Sequence, residues 1–391
     1  MKKQMVRLVA PLVAFSLYVA ILFARSRAGI DQIPTDPNYD FLQEADQGSL
    51  TLFSSSPSFA VDHPLIAQIA SFSPITQHAR IASIITHLVW ASCALGIFMV
   101  VRLSTGRFIV ALTAGLAIVL SPWAAQSMLG NYGNVRWPIL VAALVVCTQQ
   151  LLSTQPSSRV LWMSSITAAL TNPLAGLLVI PLSVAWVRST QGILQKVTAV
   201  LSAPLIVFAI NLMLTGGTGH STKVTQFWTG AGLFWLAGQL LPSALAIVGL
   251  LIFARFKKYF RENGVFGAVL LVCSIFLSAL CYALGGIADR YFFGPAALSG
   301  VGIFLLLHSL RSEVTIRRFL FVVVLSISLI PAAKWFSVFP WLRSGVPWSE
   351  QVQLARRECE ELRRVSVELV TSDGITLTNP VPCVVLASED R

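Results

Sequence analysis

Charge is what this chain has least of. Asp, Glu, Lys and Arg make up 12% of its 391 residues, against 55% hydrophobic, and the mean hydropathy is +0.74. A soluble domain is not built this way. Apolar runs repeatedly reach the roughly 20 residues that cross a bilayer. They are continuous and do not alternate with period two. Lipid offers a backbone group no outside partner, so the spans are expected to be helices and not barrel strands. The expected fold is an all-α polytopic membrane protein.

Other absences narrow the function. No G-x-x-x-x-G-K-[ST] occurs, and the Gly216, Gly217, Thr218, Gly219 run reads as a flexible outer loop, not a phosphate cradle. His63, His78, His87, His220 and His308 show no H-E-x-x-H or other ligand spacing, so a structural zinc is not expected and His87 reads as a packed helix residue. Neither an internal repeat nor a low-complexity segment is seen. The formal net charge of +11 is spread through short loops, the ordinary orientation signal of a membrane protein, and no nucleic-acid partner is expected. Cys93, Cys147, Cys273 and Cys281 lie in apolar runs as small packing residues, leaving Cys359 and Cys383 in polar sequence.

What acid there is gathers between the first two apolar runs. Residues 26–80 hold Asp31, Asp36, Asp40, Glu44, Asp46 and Asp62 against Arg27 and Arg80, with no lysine. MKKQMVR precedes the apolar run Leu8 to Phe23, which no A-x-A-like cleavage site follows. The first span is therefore expected to stay, with its N-terminus in the cytoplasm and the acidic loop outside. Within that loop Phe59 to Phe72 is expected to form a helix on the membrane surface.

Further spans are expected at Ile81 to Val101, Phe108 to about Ser127, the stretch ending near Leu152, Val197 to Leu214, Ala231 to Ala254, Val265 to Gly286, Phe292 to Leu310 and Phe319 to Phe339. Val160 to Val187 is split by Thr171, Asn172 and Pro173 into two halves of about a dozen residues each. One kinked crossing would put Arg188 and Lys196 outside. A short helix pair that enters and leaves on the cytoplasmic side keeps them inside, and is preferred. With RFKKYFREN and RSEVTIRR as cytoplasmic turns, the register gives about nine full spans plus the pair, about eleven helices in all. Residues 1–339 then form the transmembrane domain, and 340–391 a small extracytoplasmic α+β tail. In the tail WSEQVQLARRECEELRR reads as a helix, and VSVELV and PCVVL as two short strands around Ser372, Asp373 and Gly374. A Cys359–Cys383 disulfide is expected to staple its weak core.

An acidic outer loop on such a body points to a carboxylate acting on a lipid-borne group. Moving a sugar from a lipid phosphate to a hydroxyl needs a base for the proton and positive charge, or a metal, for the departing phosphate. Asp36 and Asp40 in TDPNYD, with Asp31 close behind, are the candidate bases. Arg136 in NVRW with Asn131 and Asn134, Arg290 in ADRYFF, and Lys334 near the last span are the candidate phosphate-binding residues.

This arrangement resembles the GT-C superfamily of integral membrane glycosyltransferases: N-terminus inside, an acid-bearing first outer loop, about eleven helices, an N-x-x-N-x-R-W loop, a D-R-Y-F-F opening to a late span and a small outer tail. The resemblance implies a plasma-membrane enzyme that uses a polyprenyl-phosphate sugar and a glycan, lipid or protein acceptor. It implies a catalytic acid at Asp36 or Asp40, and often a divalent metal. The adjacent D-E or D-x-D pair of many members is missing here, which leaves the metal unassigned. Two other readings stand beside it: a transporter or flippase, which the split segment would suit, and a scaffold for envelope assembly.

Overall fold

Why each helix starts and stops sets where its chemistry lies. The computed structural model describes residues 2–27, 30–31, 62–121, 134–154, 156–188, 194, 196–202, 246–255, 259–260, 263–285, 290–310, 346–362, 364–369 and 381–387. Helix α1 is Lys2–Ser26, α2 is Asp62–Ser71, and a 3-10 turn at Ile75–Gln77 leads into α3, His78–Thr105. Then come α4 (Phe108–Val119), α5 (Arg136–Leu152), α6 (Ser158–Thr171), a 3-10 turn at Pro173–Leu178 and α7 (Val179–Val187). Helical stretches at 196–202 and Ala246–Arg255 precede α8 (Asn263–Gly285) and α9 (Arg290–Ser309). The tail adds α10 (Trp348–Leu362), β1 (Ser366–Val367), β2 (Val381–Pro382) and α11 (Cys383–Ala387).

The body is all-α. Among the described residues four helices are long and apolar enough to cross a membrane: Val9–Ser26, Ile75–Thr105, Gly264–Cys281 and Phe292–Ser309. Most of the expected Val197 to Leu214 and Ala231 to Ala254 spans, and all of Phe319 to Phe339, lie outside the described residues. Of the helix expected at Phe59 to Phe72, residues Asp62–Ser71 form α2, which buries Ile66, Ala67 and Ala70 and exposes Leu65 and Ile69, with Phe72 exposed just after it, and 59–61 lie outside the described residues.

Within the third expected span, Phe108 to about Ser127, the helix that opens it ends at Val119, and residues 122–127 lie outside the described residues. Pro122 disfavours helical backbone at Ser121, and a proline cannot continue the ladder, so the helix closes at Leu120 with its N–H on Leu116 O. Its last carbonyls are met from outside. Arg25, 1% exposed at the end of α1, donates through Nη1 to Val119 O and through Nη2 to Ser121 O at 3.0 Å.

The split segment is a hairpin. Ser157 caps α6 by accepting from Val160 N–H, and the helix stops at Asn172, whose backbone is extended before Pro173. Asn172 Oδ1 then accepts from Leu174 N–H at 2.9 Å and starts the 3-10 turn that leads to α7. Beyond α7, Lys196 is 1% exposed and donates through Nζ to Leu151 O at 2.9 Å and to Ser153 O at 3.3 Å. A lysine stem reaches only a few ångströms, so the segment leaves and returns at the same end of α5. Lys196 also gives the C-terminus of α5 the positive charge it favours.

Helices α8 and α9 form the tightest pair. A Cβ built on Gly267 would lie 2.7 Å from Gly302 O, so only glycine allows this approach. Ser274 Oγ donates to Pro295 O at 2.8 Å and lies 2.7 Å from Ser299 Oγ. A backbone bridge between Phe260 and Leu310 closes the far end of the pair.

In the tail α10 buries Trp348, Val352 and Ala355 on one stripe. β1 pairs antiparallel with β2. The second strand expected from PCVVL is corrected: only Val381 and Pro382 are extended, and Cys383–Ala387 is helical. The apolar run is too short for its pattern to separate strand from helix. Cys359 and Cys383 are joined in a disulfide with Cα atoms 5.7 Å apart.

Candidate functional site

Two helix beginnings meet at one end of the bundle. Helix α5 starts at Arg136 after Asn134 and Val135, both buried at 1% and 0% exposure. Helix α9 starts at Arg290. Gly294, one turn into α9, lies against the Trp137 ring, where a Cβ would come within 3.6 Å of Cε3. On α3, Trp90 packs on Phe293 with ring centroids 5.0 Å apart. The NVRW and DRYFF motifs, more than a hundred residues apart in the chain, are thus neighbours in space.

First-turn amides have no partner within their own helix, and aligned peptide dipoles leave positive charge there. Two such ends side by side favour an anion. Arg136 adds a formal charge, and its Nε is buried without a partner among the described residues. For Arg290 the structure places the backbone at the head of α9, and its side chain lies outside the described residues.

The level of this site follows from α3. Trp90 is twelve residues into that helix, so α3 projects about 18 Å beyond the point where it meets α9. The projecting turns carry His78, Ser83 and His87. His87 stacks on Phe23 at 5.1 Å and its Nδ1–H donates to Ser83 O at 2.5 Å. A carbonyl only accepts, so the proton is on Nδ1 and Nε2 is left as an acceptor without a partner among the described residues. Through the Phe23–His87 stack the same part of α3 lies beside the end of α1, where Arg25 holds the end of α4.

Asp31 does something the sequence did not announce. Its carbonyl accepts from Trp348 N–H at 2.7 Å and its Oδ2 accepts from Ser349 Oγ–H at 2.5 Å. The acid nearest α1 therefore ties the tail to the bundle. Asp36, Asp40, Asn131 and Lys334 lie outside the described residues.

Among the described residues no three His, Cys, Asp or Glu side chains gather closely enough to hold a metal ion. Asp31 brings one carboxylate, already half engaged, so the described donors do not make a metal site and no step is assigned to one.

Sequence reasoning missed Arg25, Trp348 and Ser349. For Arg25 sequence offers no clear signal, since an arginine in the last turn of an apolar helix reads as one that reaches for the interface. The chain matches no protein-family model and no curated protein.

Proposed function

We propose that this chain is a membrane glycosyltransferase of GT-C type, moving a sugar from a polyprenyl-phosphate donor to a cell-envelope acceptor at the extracytoplasmic face of the plasma membrane. The observation that carries the reading is the meeting of the α5 and α9 N-termini beside Arg136. A lipid phosphate needs such a positive site. Charge-assisted hydrogen bonds from an arginine and from first-turn amides are the means to hold it.

In the reaction the acceptor oxygen attacks the anomeric carbon and its proton passes to an Asp carboxylate. The bond from that carbon to the phosphate oxygen breaks, and polyprenyl phosphate leaves with its new negative charge facing Arg136 and Arg290. Asp31 Oδ2 accepts from Ser349, and the base assigned in this proposal is Asp36 or Asp40. Loss of a general base lowers the rate by about a hundredfold to ten-thousandfold. Asp36→Asn and Asp40→Asn, made singly and together, are therefore expected to remove a glycan or accumulate a lipid-linked sugar in envelope mass spectra. A correctly inserted double variant with the parent's profile overturns the assignment and moves the scaffold reading ahead.

A second reading, transport of a lipid-linked or envelope precursor, draws on the α6–α7 hairpin, since broken helices are where carriers build substrate sites. A transporter would leave the total glycosylated product unchanged in permeabilised membranes supplied with donor on both sides, whereas the enzyme would not.

A further inference from the structure

We infer that Trp348 and Ser349 make the C-terminal subdomain a positioning element for the acid-bearing loop, by fastening both ends of that loop with one pair of residues. Trp348 is fully buried, and its indole Nε1–H donates to Ile75 O at 2.6 Å. Its backbone N–H donates to Asp31 O at 2.7 Å, and the next residue, Ser349, donates to Asp31 Oδ2. Asp31 lies just after α1 and Ile75 just before α3, so a single side chain and its own amide span the two flanks of the connection. The amide is one of the first-turn donors for which α10 has no internal acceptor, and the loop flank supplies that acceptor.

Among its described residues the subdomain is tied together at several points. The Cys359–Cys383 disulfide joins α10 to α11, Arg356 Nε–H donates to Leu386 O at 2.8 Å, and Cys383 N–H donates to Val365 O at 2.9 Å. Release of Trp348 therefore releases the whole tail from the loop base, not one side chain.

This deepens the glycosyltransferase reading and rests on it for the identity of the acids. Asp36 stands five residues beyond Asp31, within about 18 Å of it, since an extended residue spans at most about 3.6 Å. When Asp31 is unfastened, the fixed point on that side retreats to Ser26, five residues further from Asp36 in sequence.

The experiment uses the full-length protein in detergent and in cells. Trp348→Ala is expected to speed amide exchange at residues 75–77 on the order of a hundredfold, because the buried indole, its bond to Ile75 O and the packing that seats the first turn of α10 on the loop flanks are lost. In cells the same variant is expected to lower the glycan product severalfold. Trp348→Phe keeps most of the packing and removes the indole N–H, so it serves if the alanine variant does not fold. It should fall between parent and alanine in both readouts. Asp31→Cys with Ser349→Cys, oxidised in the Trp348→Ala background, should restore the glycan product, which mere repair of packing would not do. Unchanged exchange at 75–77 overturns the staple. Raised exchange with an unchanged glycan profile overturns the positioning role. If deleting the whole gene leaves the glycans unaltered, the glycosyltransferase reading has failed, and the exchange and cross-linking results alone decide whether Trp348 fastens the loop.

Discussion

Replacing Arg25 tests the account of how α4 can stop inside the bundle. Its guanidinium donates to Val119 O and Ser121 O from a site with 1% exposure, where water cannot take over. Arg25→Met keeps a stem of similar length and removes every donor. Each orphaned buried carbonyl then costs about 1–3 kcal/mol, and loss of positive charge at the helix C-terminus adds about 0.3–1 kcal/mol. Two terms work the other way. Methionine avoids the desolvation of a buried charge, and in a membrane the unfolded reference also finds partners, which reduces a typical hydrogen bond to about 0.6–1.7 kcal/mol. The carbonyls decide the sign, because the backbone of α4 cannot follow the missing arginine. The expected net loss is about 2–4 kcal/mol. Arg25→Lys keeps the charge but not the fork, so one ammonium serves two carbonyls less well and about half of that loss is expected. Unfolding in mixed detergent micelles, followed by tryptophan fluorescence against denaturing detergent fraction, gives the comparison. An Arg25→Met protein as stable as the parent refutes the capping argument, and equal losses for Met and Lys refute its charge component.

Two further expectations are simpler. Serine at both Cys359 and Cys383 should weaken the tail by about 3 kcal/mol, the loop-closure value for a cross-link of this span. It would be read as faster proteolysis between α10 and α11 with bundle unfolding unchanged, and equal cleavage rates count against it. Lys196→Met should cost about 1–3 kcal/mol in the same detergent titration, since it uncovers Leu151 O and Ser153 O. Cysteines placed at Thr154 and Leu194 should label from the same side, and labelling from opposite sides would refute the hairpin.

Hydropathy made the long helices legible and hid their ends. α1, α3, α8 and α9 each carry an apolar run long enough to cross a bilayer, so run length alone located them. For α4 the apolar run continues past Val119, and only the Ser121, Pro122 step and the arginine offered by α1 account for its stop. Lys196 shows the opposite case. Read as an orientation signal, it placed the α6–α7 segment's return on the correct end of α5, yet its ammonium is buried on helix carbonyls instead of facing water. A charge count reaches the same end of α5 there for a local reason it does not contain. By the same count Arg25 would argue against α1's orientation, and it too is internal.

The site divides along the same line. Arg136 and Arg290 stand out in sequence because each lies beside aromatic residues at the edge of an apolar run, and the fold brings the two helix openings together through Trp137, Gly294, Phe293 and Trp90. Asp31 looked like its acidic neighbours, and nothing local distinguishes it. Its hydroxyl partner is 318 residues away, on a helix that reads in sequence as a separate charged tail. Periodicity and composition describe what a segment can bury, whereas pairings of single polar groups across such distances arise only when the buried faces have already met. Trp348 marks where that happened: an aromatic residue at the head of a charged helix has no use for its indole in water. Its complete burial, with both N–H groups bonded to the flanks of the first loop, is what turns the tail from an appendage into part of the bundle.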